Sequence, residues 1–524
     1  MIITKSLMRS AKINPNKTAI LEKGHRYSYG EFAERTVKLK KVLEGMGVKK
    51  QDRVGLLMFN NFRYIEIFYA CTALGAIFVP LNYRLAEEEL VYIINDCELK
   101  VLFLHQEFIE LVPFLREKTP SITQFVVAED SHIVSDLVSY EELLTLENGT
   151  ATELECDAVH EDDIAGLFYT GGTTGKSKGV MLTHRNLVAN AYQTSMIVSN
   201  ETDTVYLHSA PMFHLADAGS MLNITMVNAT HVILRSFTPK DFIETVKNYQ
   251  VTKCLLIPTM INMILHHPSF NSHDIRSLES ISYGASPMPL ELLKKIMKLL
   301  PDIELYQGYG MTEASPGLTY LTAENHVLNG SEKSEKRLLS AGQPILGVDI
   351  RVIDEQGNQV AIGEVGEIIA KGPNIMKGYW NLPEETAAVI KDGWYHTGDM
   401  AMIDGDYFVY IVDRKKDMII TGGENVYSPE VENVLYKHPD VYEAAVIGVP
   451  DEKWGEAVVA IIVTKEGSKL SEYEIIQHTK RHLANYKVPK SIVFMEELPR
   501  NTAGKVLKRD LRKKYWEGSN RMVH

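Results

Sequence analysis

The chain is 524 residues long, 45 % apolar and 23 % charged. That balance excludes a disordered, collagen-like or membrane-spanning protein, and the length asks for three or so structural units at about 100–200 residues each. The formal net charge of −13 argues against general nucleic-acid binding, which needs a basic surface to displace counterions from phosphates.

Residues 1–17 contain no apolar stretch of the kind that opens a secreted protein. Residues 31–46 carry Phe32, Val37, Leu39, Val42 and Leu43 at helical spacing, and Gly45 and Gly47 stop the run. Residues 52–58 form a short apolar run, as a buried parallel strand should. Residues 65–74 read as helix and 76–80 as strand. The apolar stretch 67–79 is interrupted by Thr72 and Gly75, and it is shorter than the ~20 residues a spanning helix needs. A buried helix is therefore expected, and no transmembrane segment. Similar strand-like runs recur at 251–257 and 281–283. The alternation predicts an α/β fold, a mainly parallel sheet in layered α/β/α subdomains.

From about residue 338, Pro344, Gly347, Gly357, Gly363, Gly366 and Gly372 punctuate short β-branched runs such as 348–353 and 367–370. They predict a β-rich subdomain over about 338–412. Strand-like residues 407–412 give way to the charged run 413–417, which marks a boundary between a large N-terminal domain, 1–412, and a small α+β domain, 413–524. In the latter, helices are expected at 428–438 and 471–483, and strands at 441–449 and 457–463. Cys71, Cys97, Cys156 and Cys254 show no CxxC spacing, so free thiols in a cytoplasmic protein are expected, without a zinc site. The basic run 505–514 suits either a solvated helix face or a meeting with a polyanionic ligand.

The densest chemistry lies in Tyr169-Thr-Gly-Gly-Thr-Thr-Gly-Lys-Ser-Lys-Gly179. Glycines let backbone N–H groups approach anionic oxygens, hydroxyls donate hydrogen bonds, and lysines supply charge, so a polyphosphate is the expected ligand. Gly175, Lys176 and Ser177 match the end of a Walker loop, but that motif needs glycine where this chain has Thr170. A Walker loop also runs straight into a helix. Here residues 179–183 look extended, and the following helix starts with Thr183 as its cap. Three further motifs follow in order: Tyr306-Gln-Gly-Tyr-Gly-Met-Thr-Glu313, Trp394-Tyr-His-Thr-Gly-Asp399 with Asp413-Arg414 behind it, and Pro499-Arg-Asn-Thr-Ala-Gly-Lys505.

With these motifs, from Tyr29 to about Leu511, the chain resembles the adenylate-forming superfamily of acyl-CoA and aryl-CoA ligases, firefly luciferase and peptide-synthetase adenylation domains. It departs from the pattern at Gly171, where serine is usual, and at Ser177, where proline is usual. The resemblance implies that Thr170, Gly171, Gly172, Thr173, Thr174, Gly175 and Lys178 hold the phosphates of ATP. It implies that Tyr309 stacks on adenine, Thr312 touches the α-phosphate and Glu313 binds Mg²⁺. Gly284 and Ala285 would line the adenine and acyl sites, and Asp399 and Arg414 would hold the ribose. Lys505 would bridge the substrate carboxylate and the α-phosphate. The C-terminal domain would pivot at Lys416, bringing Gly422 and Gly423 to the pantetheine arm of coenzyme A, with Glu430 opening a helix beside them.

The segment around Pro211-Met-Phe-His214 matches the lining of the acyl site, with His214 as a gate. Ala216, Ala218, Gly219, Ala285, Gly308 and Gly310 are small. If they line the pocket, a long apolar acid can enter, held by about 0.8 kcal/mol per buried CH₂. The expected activity is therefore an ATP-dependent acid–CoA ligase, forming acyl-AMP and then acyl-CoA. Its partners are a small carboxylic acid, ATP and CoA; a homodimer is compatible with it. A medium- or long-chain fatty acid is favoured, an aromatic acid of benzoate or cinnamate type comes next, and loading of a carrier protein is the alternative to CoA. A non-catalytic binding protein on this fold would have lost Lys505, Glu313, Asp399 or Arg414, and all four are present.

Overall fold

The computed structural model describes residues 1–130, 137–147, 154, 158–170, 176–414, 417–451, 453–500 and 505–516. Strands that are apolar on both faces set its centre. Arg53–Leu57, Ile77–Pro80 and Val101–Leu104 are parallel neighbours, almost wholly buried, as both-face apolar runs require. They belong to an eight-stranded sheet ordered Gly378–Tyr379, Lys178–Thr183, Ile164–Thr170, Ile77–Pro80, Arg53–Leu57, Val101–Leu104, Gln124–Val127, Val138–Ser139. A nine-stranded sheet runs Gln343–Pro344, Gly317–Leu321, Glu304–Gly310, Ser280–Gly284, Lys253–Leu256, Val205–His208, Thr230–Ile233, Thr18–Glu22, His25–Ser28. Its middle strands, from Glu304–Gly310 to Thr18–Glu22, are parallel.

The helix Phe62–Leu74 is buried along its whole length, in keeping with its apolar sequence. Asn61 caps it by accepting the Arg63 N–H at 2.8 Å, and Gly75, at φ +68°, ends it. Its two charges are paired inside. Glu66 accepts from Arg35 at 2.6 Å and from the Tyr140 hydroxyl at 2.6 Å, and Arg63 donates to Glu141 at 2.8 Å. Among the described residues no helix is long and apolar enough to cross a membrane. Cys71, Cys97 and Cys254 are free and buried; Cys156 lies outside the described residues.

A five-stranded sheet follows: Asp349–Ile353, Gly366–Lys371, Trp394–Ile403 and Ile390–Lys391, with Val409–Arg414 paired to Trp394–Ile403. This last strand starts later than its apolar run, because Tyr407 takes φ +65° in a turn. A second five-stranded sheet holds Glu424–Val426, Ile419–Thr421, Gly455–Thr464, Val441–Asp451 and Ser491–Phe494, with helices Ser428–Leu435, Glu472–Lys480 and Lys508–Trp516. The basic run near the C-terminus is only partly a solvated face. Leu511 is buried there, and Lys508 is drawn into an ion pair with Glu432 at 2.6 Å.

Candidate active site

The strands Ile164–Thr170 and Lys178–Thr183 pair antiparallel, with Thr170 opposite Lys178. The loop between them, with Gly171, Gly172, Thr173, Thr174 and Gly175, lies outside the described residues. It returns into a strand, and the next helix, His184–Ile197, starts only after Thr183, which accepts the Asn186 N–H at 3.1 Å. That connection separates it from a Walker loop. Lys178 pairs with Glu385, and its ammonium lies 5.2 Å from the centre of the Tyr379 ring.

Tyr379 leads from this loop to the next motif. Its hydroxyl donates to Glu313 Oε1 at 2.9 Å. Glu313 sits in a short 3₁₀ turn, Thr312–Ala314, directly after the strand Glu304–Gly310. Met376 N–H donates to the Glu313 carbonyl at 2.8 Å, and Asn374 donates to the carbonyls of Ala314 and Gly317 at 2.8 Å each. Burial raises the Glu313 carboxyl above the ordinary carboxylate range, while the Tyr379 hydroxyl and the Arg414 charge pull it back. A half-buried carboxylate that accepts from a phenol fits a hard divalent cation such as Mg²⁺, which takes carboxylate and phosphate oxygens.

The ribose motif meets the same place. The Tyr309 hydroxyl donates to Asp399 Oδ2 at 2.7 Å, and burial, then Asp399, pushes that phenol far above its usual pKa. Asp399 is buried and stands opposite Arg414 in the ladder, with Arg414 Nε 3.4 Å from its other oxygen. One carboxylate can accept several bonds, so Asp399 keeps capacity for a hydroxylated ligand. Lys178, Glu313, Tyr309, Asp399 and Arg414 are thus brought together. Tyr379 and Glu385, which join them, escaped the sequence reading; the only signal was a Gly-Tyr-Trp run ahead of a Pro-Glu-Glu helix start.

Beyond the carboxyl ends of the parallel strands, where open α/β sheets bind ligands, lie the residues expected to line an acid site. His214 stands at the N-cap of helix Leu215–Met226, half-buried, its ring 4.3 Å from that of Phe213. Several small residues there have reasons unrelated to an open pocket. A Cβ on Gly310 would lie 1.9 Å from the Pro316 carbonyl, and one on Gly284 would lie 2.3 Å from the Gly308 carbonyl. Ala218 is part of the core with Met221 and Leu222. Ala285 is exposed, at φ +64°. Two of the six small positions therefore owe their size to something else: close backbone approach at Gly310 and core packing at Ala218. Gly219 differs, since its added Cβ would make only an ordinary 3.6 Å contact with Pro316. Beneath the helix runs a buried polar chain: Asp217 to His208 at 2.8 Å, His208 to His231 at 3.0 Å, His231 to Thr225 at 3.0 Å. It ties the helix to the sheet.

In the C-terminal part, Lys505 is half-buried, next to Val506, which bridges to Arg500. Gly422 and Gly423 make the turn between Ile419–Thr421 and Glu424–Val426, at φ +61° and +85°. A Cβ on Gly422 would stand 2.8 Å from the Trp454 ring. Glu430 is in the first turn of helix Ser428–Leu435 and pairs with Lys487 at 2.7 Å. Lys416 lies outside the described residues.

Comparison with known proteins gives the family. Residues 7–380 match the family model described as AMP-binding enzyme, and residues 430–505 match the AMP-binding enzyme C-terminal domain. The chain is 38 % identical to a feruloyl-CoA synthase from Amycolatopsis sp over 97 % of this chain and 98 % of that one. It is 34 % identical to a medium/long-chain-fatty-acid–CoA ligase from Mycobacterium tuberculosis, over 99 % and 90 %. Among solved structures, ATP-bound MatB from Rhodopseudomonas palustris is 28 % identical and superposes with a TM-score of 0.88, covering 98 % of this chain and 99 % of that one. The apo form of the same protein, at the same coverage, gives 0.79.

Proposed function

The chain belongs to the AMP-binding enzyme family as an AMP-forming acid–thiol ligase, and we propose that the acid it activates is aromatic. The observation that carries this reading is that two of the small residues, Gly310 and Ala218, are small for close backbone approach and core packing, which removes part of the sequence argument for an open channel. Without that part the case for a long aliphatic tunnel weakens. The higher identity to a feruloyl-CoA synthase than to the fatty-acid ligase points the same way. A medium- or long-chain fatty acid is the second reading, supported by the full-length likeness to that ligase.

In the proposed mechanism, Tyr309 stacks on adenine, with its ring fixed through Asp399, and Asp399 and Arg414 take the ribose hydroxyls. Lys178 and residues 170–175 hold the phosphates, and Thr312 donates to the α-phosphate. Glu313 would hold Mg²⁺, which when bound neutralises phosphate oxygens. Lys505 neutralises the charge that builds as the carboxylate attacks phosphorus, an effect on the order of 10²-fold or more in a water-poor site. Acyl-AMP and pyrophosphate result. The C-terminal unit then turns at Lys416, and the CoA thiol, with Gly422 and Gly423 leaving room for its arm, displaces AMP. The better superposition on the ATP-bound neighbour supports reading the described arrangement as that of the first step.

The test is acid-dependent AMP release, with CoA and with a carrier protein, across ferulate, cinnamate, benzoate, octanoate and palmitate. The expected result is CoA-dependent turnover with kcat/KM at least about tenfold higher for an aromatic acid, the discrimination a shaped apolar pocket can supply. Preference for octanoate or palmitate would return the acid to the fatty class.

A further inference from the structure

One buried polar cluster grips the chain on both sides of residues 415–416. Asp413 is 5 % exposed and lies in the strand Val409–Arg414, where it stands opposite Met400 of the N-terminal sheet. Its carboxylate faces the other part of the molecule. Oδ2 accepts the Ser428 N–H at 2.8 Å and the Ser428 hydroxyl at 2.9 Å, at the start of helix Ser428–Leu435. Lys508, the first residue of helix Lys508–Trp516, donates to the same Ser428 hydroxyl oxygen and pairs with Glu432 at 2.6 Å. Arg512, one turn on, pairs with Asp417. Burial raises the Asp413 carboxyl, and Lys508 pulls it back; burial opposes the charge on Lys508, but Glu432 and Asp413 outweigh it and hold its pKa above the usual value.

The main chain of Asp413 is thus fixed in one sheet while its side chain is bound by the other unit. Lys505 is three residues before Lys508, and the Leu507 N–H donates to the Pro499 carbonyl at 2.8 Å, so the anchor at Lys508 also sets where Lys505 stands. A turn of the C-terminal unit about Lys416 would carry Ser428 and Lys508 away from Asp413. Hydrogen bonds weaken steeply with misalignment, and these could not survive it.

We infer that Asp413 is a positioning residue: with Ser428 and Lys508 it forms a catch that holds the C-terminal unit in the adenylate-forming arrangement and opens for thiolation. This rests on the two-step, rotating reading proposed above. Asp413→Asn keeps the shape and still accepts the Ser428 N–H, but removes the charge that faces Lys508. Acyl-AMP formation in a single turnover and CoA-dependent consumption of supplied acyl-AMP are measured separately. The expected result is slower adenylation with thiolation unchanged or faster, so that their ratio shifts by about tenfold, as a biased two-state equilibrium would give. Equal losses in both steps, or no change in either, would overturn the catch.

If Asp413→Asn fails to fold, Ser428→Ala, which removes a single hydroxyl, takes its place in the same assay. A distance measurement gives an independent readout, with spin labels at Met196→Cys and Tyr473→Cys, which are 67 % and 71 % exposed. The variant is expected to populate a second distance; a distribution identical to wild type would also overturn the proposal. Wild type that forms no acyl-AMP with any acid sinks the ligase reading instead, and the distance measurement still decides the catch.

Discussion

On the proposed nucleotide side, Lys178, Tyr379, Asp399, Arg414 and the pair Tyr309 and Glu313 of one motif come from five stretches of chain and meet through their side chains. On the proposed acid side, Gly219 of the helix Leu215–Met226 lies against Pro316, and Gly310 at the end of the strand Glu304–Gly310 closes on the Pro316 carbonyl. A polyphosphate and a ribose demand particular donors and acceptors, so residue identity carries the first region. An apolar acid demands volume, and volume is whatever packing leaves over. The two regions should therefore respond differently to substitution.

The largest expected effect is Glu313→Gln. Acyl-AMP formation should fall by about 10²–10³-fold, the usual cost of removing one electrostatic partner from a water-poor site, and the Mg²⁺ needed for half-maximal rate should rise. Single-turnover rates against Mg²⁺ concentration check this. A change in acid preference alone would break the comparison, because Glu313 would then belong to the acid side.

Next comes Gly310→Ala. The methyl would fall 1.9 Å from a backbone carbonyl, and overpacking of this kind costs about 1–3 kcal/mol. The melting temperature should drop while acid selectivity stays put. A stable variant with a narrowed acid range would restore Gly310 to the pocket lining.

Gly219→Ala sharpens the contrast. The glycine sits inside a helix, where it costs about 0.5–1 kcal/mol relative to alanine, and the added methyl meets only an ordinary contact. Melting temperature should rise slightly while the largest acids lose kcat/KM. If both stay unchanged across the acid panel, this helix face does not meet the acid.

The last effect is one of slope. Burial raises the folded-state pKa of Glu313. The stability tied to its protonated form is complete below the unfolded value, near about 4.3, and is lost as pH rises through the raised folded value. Nucleotide-free wild type should therefore lose stability over that climb, and Glu313→Gln should not. Its melting-temperature advantage should widen with pH; parallel curves would mean that Glu313 is not withdrawn from water.

Much of this molecule is legible in order of sequence because its signals are local. Two-sided apolar runs become buried parallel strands, Thr183 caps a helix, and Glu313 follows a strand end. A run of residues carries its own periodicity and its own turn chemistry, and the motifs proposed for the nucleotide carry their polar groups with them. Tertiary structure alone decided what those groups touch. It set Tyr379 on Glu313 and Lys178 beside Glu385, chained Asp217 to His208 and His231, and drew Lys508, one of several lysines in a basic tail, against Glu432 and Ser428. It also decided which glycines let two backbones pass and which meet only ordinary contacts. The physical reason is the same in each case: a contact between residues from 9 to 207 positions apart in different elements depends on where those elements pack, and no local pattern encodes that distance.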